Sequence, residues 1–404
     1  MSQSSSQSFD MSQLKLGIFH GPHHDKMADP QVLLERDFRL MEHLDGLGYD
    51  EAWIGEHHSG GFEMIAAPEL FIAAAAERTR HIRFGTGVKS LPYHNPLIVA
   101  DTMAQLDHQL RGRAIFGVGP GALASDAQMM GIQPAQQRPR LEEALAAVVP
   151  LLRGETVTMK TDWFDLQSAR LGFGCYTKPM IEMAVTSVRS PAGVVQAGRY
   201  GLGLLTLGGI GDDALSKYAQ NWAIYEAECA RHGHVPDRSK FRITTFVHLA
   251  ETSEKAFEDV KWGLEKWIDY SHDVVSAGHM VERGLDDPAK FIAENQRAII
   301  GTPDDAVAEI QRVWDGVGGF GGLLMFGMDW APPAATFRSF ELMAEYVRPR
   351  LTGANQARQA SYDFAKANQD ENRIKVHGAI QTATEKFEAE SGETVIRRAE
   401  FGDK

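Results

Sequence analysis

The sequence predicts an α/β protein, a (β/α)8 TIM barrel with insertions and a helical C-terminal extension. Three observations point there. Short apolar runs alternate with helical patterns at a spacing of about 30 residues, the rhythm of parallel strands joined by crossover helices. Eight such runs occur, and eight βα units close into a barrel. The chain has 404 residues and 39 glycines, which allows a barrel of about 250 residues with elaborations and many tight turns.

Residues 1–13 are rich in Ser and Gln and are predicted to be disordered, with Met11 a second candidate start. The barrel is predicted over 14–351. Its first strand is LKLGIFH (14–20), and a helix from about Pro30 to Leu47 follows. Leu33, Leu34, Phe38, Met41, Leu44 and Leu47 fall at helical spacing there, and Gly48 stops the helix. EAWIGEHH (51–58) is the second strand, followed by a helix around Pro68 to Arg78 whose alanines 73–76 let another helix come close. IRFGTGV (82–88) leads over SLPYHNP into a helix through Leu110, and AIFGVG (114–119) leads to a helix near Arg138 to Leu152.

Residues 153–180 break the rhythm and read as a hairpin-like insertion. The rhythm resumes with IEMAVTS (181–187), GLGLLTL (201–207), RITTFVHLA (242–250) and GLLMFGM (322–328). A second, irregular insertion at 270–300 reads as a lid. The polar, helical stretch 352–404 has too few large apolar residues for its own core and is expected to wrap around the barrel or a partner subunit.

Composition narrows the function. Fifty-four acidic against 41 basic residues give a net charge of −13, with no basic patch, which argues against a nucleic-acid partner. Cys175 and Cys229 are the only cysteines, too few for a disulfide framework or a four-cysteine zinc site. No apolar run is long enough to span a membrane, and the N-terminus lacks the pattern of a secretory signal, so a cytoplasmic location is expected.

Three segments carry candidate chemistry. In GEHHSGGF (55–62), strand geometry sends His57 and His58 to opposite faces, so they do not share a metal. At a barrel mouth, an imidazole can exchange a proton near neutral pH. In FGVGPGALASD (116–126), Gly117, Gly119 and Ala122 loosely match a dinucleotide-binding turn, and a Rossmann fold is the rival reading. Pro120 interrupts that turn and the chain has two strands too many, so Gly119 is read instead as a place where a flat cofactor ring nears the backbone. In TSVRSPAG (186–193), Ser190 and Pro191 sit where a helix begins and its free N–H groups can meet an anion. Arg138, opening the helix of the fourth unit, offers a fixed positive charge. A hydrogen-bonded surface histidine, a plain helix cap and a solvated arginine remain the alternatives.

EHHSGGFEMIAAPELFIAAAAERT and FGTGVKSLPYHNPLIVADTMAQLDHQLRGRAIFGVGPG carry a family resemblance. With E-H-H, L-P-x-x-x-P and L-D-x-x-x-x-G-R in order, the chain from Leu14 to Leu351 resembles the bacterial luciferase-like flavin-dependent monooxygenases. PGALASDAQMMGI, QRPRLEEAL, GETVTMKTDWFDL and ASYDFAKAN resemble its limonene 1,2-monooxygenase-like members. The resemblance implies that His57 is the active-site histidine near the isoalloxazine. It also implies that Gly87 and Val88 are joined by a cis peptide supporting the flavin, and that Arg138 and Ser190 contact the phosphate. Gly119 stands where luciferase has a reactive cysteine, and Pro120 where it has a phosphate-binding arginine.

The resemblance further implies a two-component system without a metal. A separate reductase uses NADH to make reduced FMN (FMNH2), which this chain reacts with O2 to form a flavin 4a-(hydro)peroxide. One oxygen atom then enters a small apolar, terpene-like substrate by epoxidation or hydroxylation, with the 270–300 lid keeping water out. Baeyer–Villiger oxidation of a cyclic ketone, a deazaflavin-dependent dehydrogenase and a non-catalytic flavin binder are the alternatives. Association through the 67–78 helix, as in related proteins, implies a homodimer or higher oligomer.

Overall fold

A computed structural model of the protein describes residues 9–188, 190–275 and 281–396. Its centre is a closed barrel of eight strands, β1 Lys15–His20, β2 Glu51–Ile54, β3 Arg83–Thr86, β4 Ala114–Gly119, β5 Glu182–Ser187, β6 Gly203–Leu207, β7 Phe241–Leu249 and β8 Gly322–Gly327. Each strand pairs in parallel with the next, and β8 pairs with β1 to close the ring. Parallel strands covered by helices are buried on both faces, and β2 and β4 are buried at every position.

Inward-facing Phe19, Trp53, Ile115, Ala184, Leu205 and Leu324 fill the barrel as a packed plug. Trp53 makes this possible because Gly85 and Gly117 stand against its indole and Gly87 against its Cβ. A Cβ on Gly85, Gly87 or Gly117 would come within 2.7, 2.9 or 2.6 Å of a Trp53 atom. Below it, at the strand starts, Arg242 is fully buried and bonded to Glu51 and Glu182, and the Trp53 Nε1–H donates to Glu51 Oε2 at 2.9 Å.

The crossover helices start on local signals. Asp29 accepts from the N–H groups of Gln31 and Val32 before helix Pro30–Gly46, and Asn95 does the same for Leu97 and Ile98 before helix Pro96–Gln109. Proline occupies the first turn of both, where no N–H is needed. The hairpin-like insertion is an antiparallel pair, Val157–Lys160 with Asp165–Ala169.

Several sequence expectations are corrected. β2 ends at Ile54, not His58: the Gly55 N–H still donates to the His20 carbonyl, but Glu56 to His58 leave the ladder and their side chains meet polar partners. The fourth unit's helix starts at Pro134, so Arg138 lies one turn inside it. Ser190 is not a cap: the helix after β5 is Ala192–Tyr200, with Pro191 at its cap and no side-chain cap bond. Residues 9–13, expected to be disordered, hold a 3-10 turn at Met11–Gln13 capped by Asp10, with the Phe9 ring 5.8 Å from that of Trp314. Composition misled there because one aromatic residue finding a ring partner outweighs the polar residues before it; residues 1–8 lie outside the described residues.

The 270–300 insertion is more regular than its sequence suggests. It includes the end of helix Leu264–Asp273, helix Pro288–Glu294 and strand Ala298–Gly301, which pairs with the outer half of β7. Phe246, Trp267, Ile268, Ile292 and Trp330 form a small core beneath it; residues 276–280 lie outside the described residues. From Gly353 the chain forms a second contact unit, with helices Gln356–Ala367 and Gln369–Ser391, neither of which buries a residue.

Candidate active site

At the C-terminal ends of the strands, where barrel sites form, the chain encloses a cavity of about 410 Å3. Its lining is of two kinds. Phe19, Phe246, Trp267, Phe326 and Met328 make an apolar wall, while Ser90, Arg138, Thr186, Ser187 and Ser190 bring polar groups. The Phe246 ring stacks on Phe326 at 4.3 Å and on Trp330 at 4.8 Å, which fixes that wall by packing on both sides.

Five of the six site residues expected from sequence meet in this cavity: His57, Gly87, Val88, Arg138 and Ser190. The Gly87–Val88 peptide is cis. The Arg138 Nε–H donates to Ser190 Oγ at 3.1 Å, so the two converge although 52 residues separate them. Gly119 is the exception. A Cβ there would stand 2.6 Å from Thr186 Oγ1 and 2.8 Å from Val88 Cγ2, so Gly119 lies behind the wall and makes room for protein side chains rather than facing the cavity itself.

His57 lies between two carboxylates. Its Nδ1 is 3.0 Å from Asp126 Oδ2 and its Nε2 is 3.4 Å from Glu63 Oε2. Burial alone would lower its pKa, but Glu63, Asp126 and Glu56 raise it to about 8. The imidazole is therefore protonated through neutral pH and loses its charge as pH rises past about 8. Asp126 is itself fixed by the Ser59 hydroxyl and the His58 N–H, and these bonds, with His57, hold its pKa down against burial.

Glu56 organises a second cluster. Burial would raise its pKa, but His58, His94 and Lys89 hold it far below the usual carboxylate range. Among the described residues, Glu56, His58 and His94 alone have metal-ligand spacing, their ligand atoms lying within 4.8 Å of one another. Lys89 Nζ already stands 2.9 Å from Glu56 Oε1 and 3.0 Å from Glu69 Oε1, supplying there the positive charge a metal would bring.

The sequence reading missed Asp126, Glu63 and Tyr270. Asp126 and Glu63 sit within or beside the motifs it quoted, but no spacing rule marks them as partners of His57. Tyr270 lies 207 residues from the carboxylate that it binds.

The profile of the luciferase-like monooxygenases matches residues 14–319. The chain is 42% identical over 386 residues to a limonene 1,2-monooxygenase of Rhodococcus erythropolis, covering 92% of this chain and 99% of that one. It is 41% identical over 364 residues to a 4-hydroxyprotoasukamycin monooxygenase of Streptomyces nodosus subsp. asukaensis, covering 88% and 96%. Among solved structures, the oxygenating constituent of 3,6-diketocamphane monooxygenase from Pseudomonas putida, in complex with FMN, shares its fold with a TM-score of 0.70, 24% identity, and coverage of 83% and 98%. The closed barrel, its cis-peptide ledge beside a carboxylate-flanked histidine, and similarity along almost the whole chain lead to one assignment: the protein belongs to the luciferase-like, flavin-dependent monooxygenases.

Proposed function

We propose that this protein is the oxygenase of a two-component system. It takes FMNH2 from a separate NADH-dependent flavin reductase and uses O2 to place one oxygen atom on a small, mainly apolar, terpene-like molecule by epoxidation or hydroxylation. The observation that carries this reading is one cavity in which an aromatic wall, the Gly87–Val88 ledge, His57 and the Arg138–Ser190 pair all meet. The similarity to a limonene 1,2-monooxygenase supports the substrate class, and the FMN-bound oxygenating constituent with the same fold supports the cofactor.

The residues present fit FMN. Gly55, Gly87 and Gly193 bring backbone to the cavity lining, although the space freed at Gly87 and Gly193 is taken up by Trp53 and by the Thr186 carbonyl. Arg138, Ser190 and the N–H groups opening helix Ala192–Tyr200 would hold the phosphate. Bound FMNH2 supplies the activation of O2 and the oxygen transfer. The chain's own residues do the rest: the aromatic wall seats the substrate and keeps water away, and His57 holds or gives a proton at Nε2. A cytoplasmic location, where NADH is available, goes with this reading; among the described residues no helix is long and apolar enough to cross a membrane.

His57→Ala is expected to leave the barrel folded, to lower product formed per NADH and to raise hydrogen peroxide release. The assay supplies the reductase, NADH, O2 and a terpene panel, with products identified by mass spectrometry and labelled oxygen. Unchanged coupling in the variant would remove His57 from the mechanism.

The same reading includes a homodimer or higher oligomer built on helices Pro68–Arg78 and Pro96–Gln109. Ala75 and Ala76 are spent on the chain's own core, while Leu70 and Ile98 are 72% and 63% exposed. Light scattering at micromolar concentration is expected to give at least a dimer mass, and Leu70→Lys with Ile98→Lys is expected to reduce it. A wild-type monomer sinks the idea.

A further inference from the structure

Glu63 has more partners than a loop carboxylate requires. Its Oε2 stands 3.4 Å from His57 Nε2, while its Oε1 accepts the Tyr270 hydroxyl at 2.6 Å. Its backbone forms an isolated antiparallel bridge with His23. Opposite it, Gly21 leaves the space: a Cβ there would stand 2.6 Å from Glu63 Oε2. Tyr270 comes from helix Leu264–Asp273 of the insertion, so this hydrogen bond ties the insertion to the loop after β2.

The two nitrogens of His57 have different surroundings. Asp126, on Nδ1, is buried and does not line the cavity, whereas Glu63, on the Nε2 side, lines it together with His57 and Tyr270. The proton on Nε2 is thus the one at the cavity surface, and Glu63 is the carboxylate that faces it, at 3.4 Å.

We propose that Glu63 is a positioning residue for His57, and that the Tyr270 hydroxyl docks it, so that seating of the insertion helix sets the Nε2 proton of His57 at the cavity surface. The proposal deepens the oxygenase reading of the cavity and rests on it. A carboxylate beside an imidazole favours the charged ring, and a carboxylate free to swing away favours it less. The charged and titratable groups facing His57 are Glu56 and Glu63 from its own loop, Asp126 from helix Ala124–Met129, Tyr270 from the insertion and His23 beside Glu63. His23 is held neutral at neutral pH, its pKa pushed down to about 4 mainly by burial, so it adds no competing charge. The charge of Glu63 raises the His57 pKa, beside Asp126, which acts both through its hydrogen bond and through its charge, and Glu56. Without it, His57 would titrate nearer the ordinary value of about 6.5 and would lose its proton in the neutral range.

The test needs neither flavin nor substrate. Imidazole resonances of the full-length, FMN-free protein are titrated by NMR, and the His57 signal is assigned by its loss in His57→Ala. Glu63→Gln is expected to lower the His57 midpoint by about one pH unit, a tenfold shift in the proton equilibrium, and Glu63→Asp to restore part of it. Tyr270→Phe, which keeps the carboxylate but removes its docking hydroxyl, is expected to fall between wild type and Glu63→Gln. In the oxygenase assay, the alkaline limb of product per NADH should move down in pH in step with the midpoint. A His57 midpoint unchanged in Glu63→Gln overturns the positioning role, and one unchanged in Tyr270→Phe overturns the docking. If Glu63→Gln does not fold, Tyr270→Phe decides alone. The oxygenase reading fails by a different result, absence of oxygenated product from wild type with reductase and NADH, which the titration does not touch.

Discussion

Replacing Arg138 by Ala is expected to weaken FMNH2 binding by roughly 10- to 100-fold while changing riboflavin affinity far less. The phosphate is the only part of FMN that riboflavin lacks, and Arg138 is the side chain that brings a full positive charge to the cavity edge where Ser190 and the start of helix Ala192–Tyr200 also stand. A charge-assisted hydrogen bond contributes about 1.5–3 kcal/mol, and a helix N-terminus about 0.3–1 kcal/mol to a nearby anion, so the arginine should dominate. Ser190→Ala is the smaller change, since the Ser190 hydroxyl orients Arg138 through its Nε and carries no charge. Anaerobic titration with both flavins checks this. Equal losses for the two ligands would show that Arg138 supports the fold or the ring rather than the phosphate.

Arg242→Met is expected to cost about 3–5 kcal/mol of stability, since it leaves Glu51 buried without its countercharge. The guanidinium of Arg242 donates to both oxygens of Glu51, at 2.6 and 2.8 Å, and to Glu182 Oε1 at 2.7 Å. Arg83 binds the other oxygen of Glu182 at 2.7 Å, so that carboxylate keeps a partner in the variant while Glu51 retains only Lys15 at 3.8 Å and the Trp53 indole. Urea unfolding at neutral pH measures the loss, and adding Glu51→Gln to Arg242→Met should recover part of it. A loss below about 1 kcal/mol would mean that water reaches the barrel floor.

The same network gives the wild-type protein an acid limit. Burial would raise the pKa of both carboxylates, but Arg242 lowers that of Glu51, and Arg242 with Arg83 lowers that of Glu182 to about 2. Carboxylates depressed in the folded state stabilise it fully above their unfolded pKa, near 4.5. That contribution is lost as pH falls from there towards about 2.

The eight strands were legible because parallel barrel strands, buried on both faces, read as continuous apolar runs between glycine-rich turns. Periodicity says less where the chain leaves that regime. Glu56 to His58 continue the second run in sequence, yet they lie outside the sheet, where their side chains find polar partners. Site residues from the quoted motifs reached the cavity, apart from Gly119, whose small size serves Val88 and Thr186. The setting of His57 was not legible, since Asp126 and Tyr270 approach it only after the barrel closes and the insertion folds over it. A tyrosine in an amphipathic helix looks the same in sequence whether its hydroxyl meets water or a carboxylate.

The indole of Trp53, held between Gly85 of β3 and Gly117 of β4, constrains which substitutions the barrel centre can take. Side-chain volume at the centre of the barrel is pooled: one residue holds what two neighbours give up. A methyl group at Gly85 is blocked by the indole itself, whereas one at Gly87 would meet the Cβ and backbone of residue 53 and one at Gly117 the Thr86 carbonyl oxygen at 2.0 Å; shortening the tryptophan opens a void that the bare glycines cannot fill. Each single step out of this arrangement is therefore unfavourable, and of the three glycines only Gly85 gains space from a smaller residue at 53. The cavity floor thus holds its shape as a unit, set by one large side chain and the bare backbone packed around it.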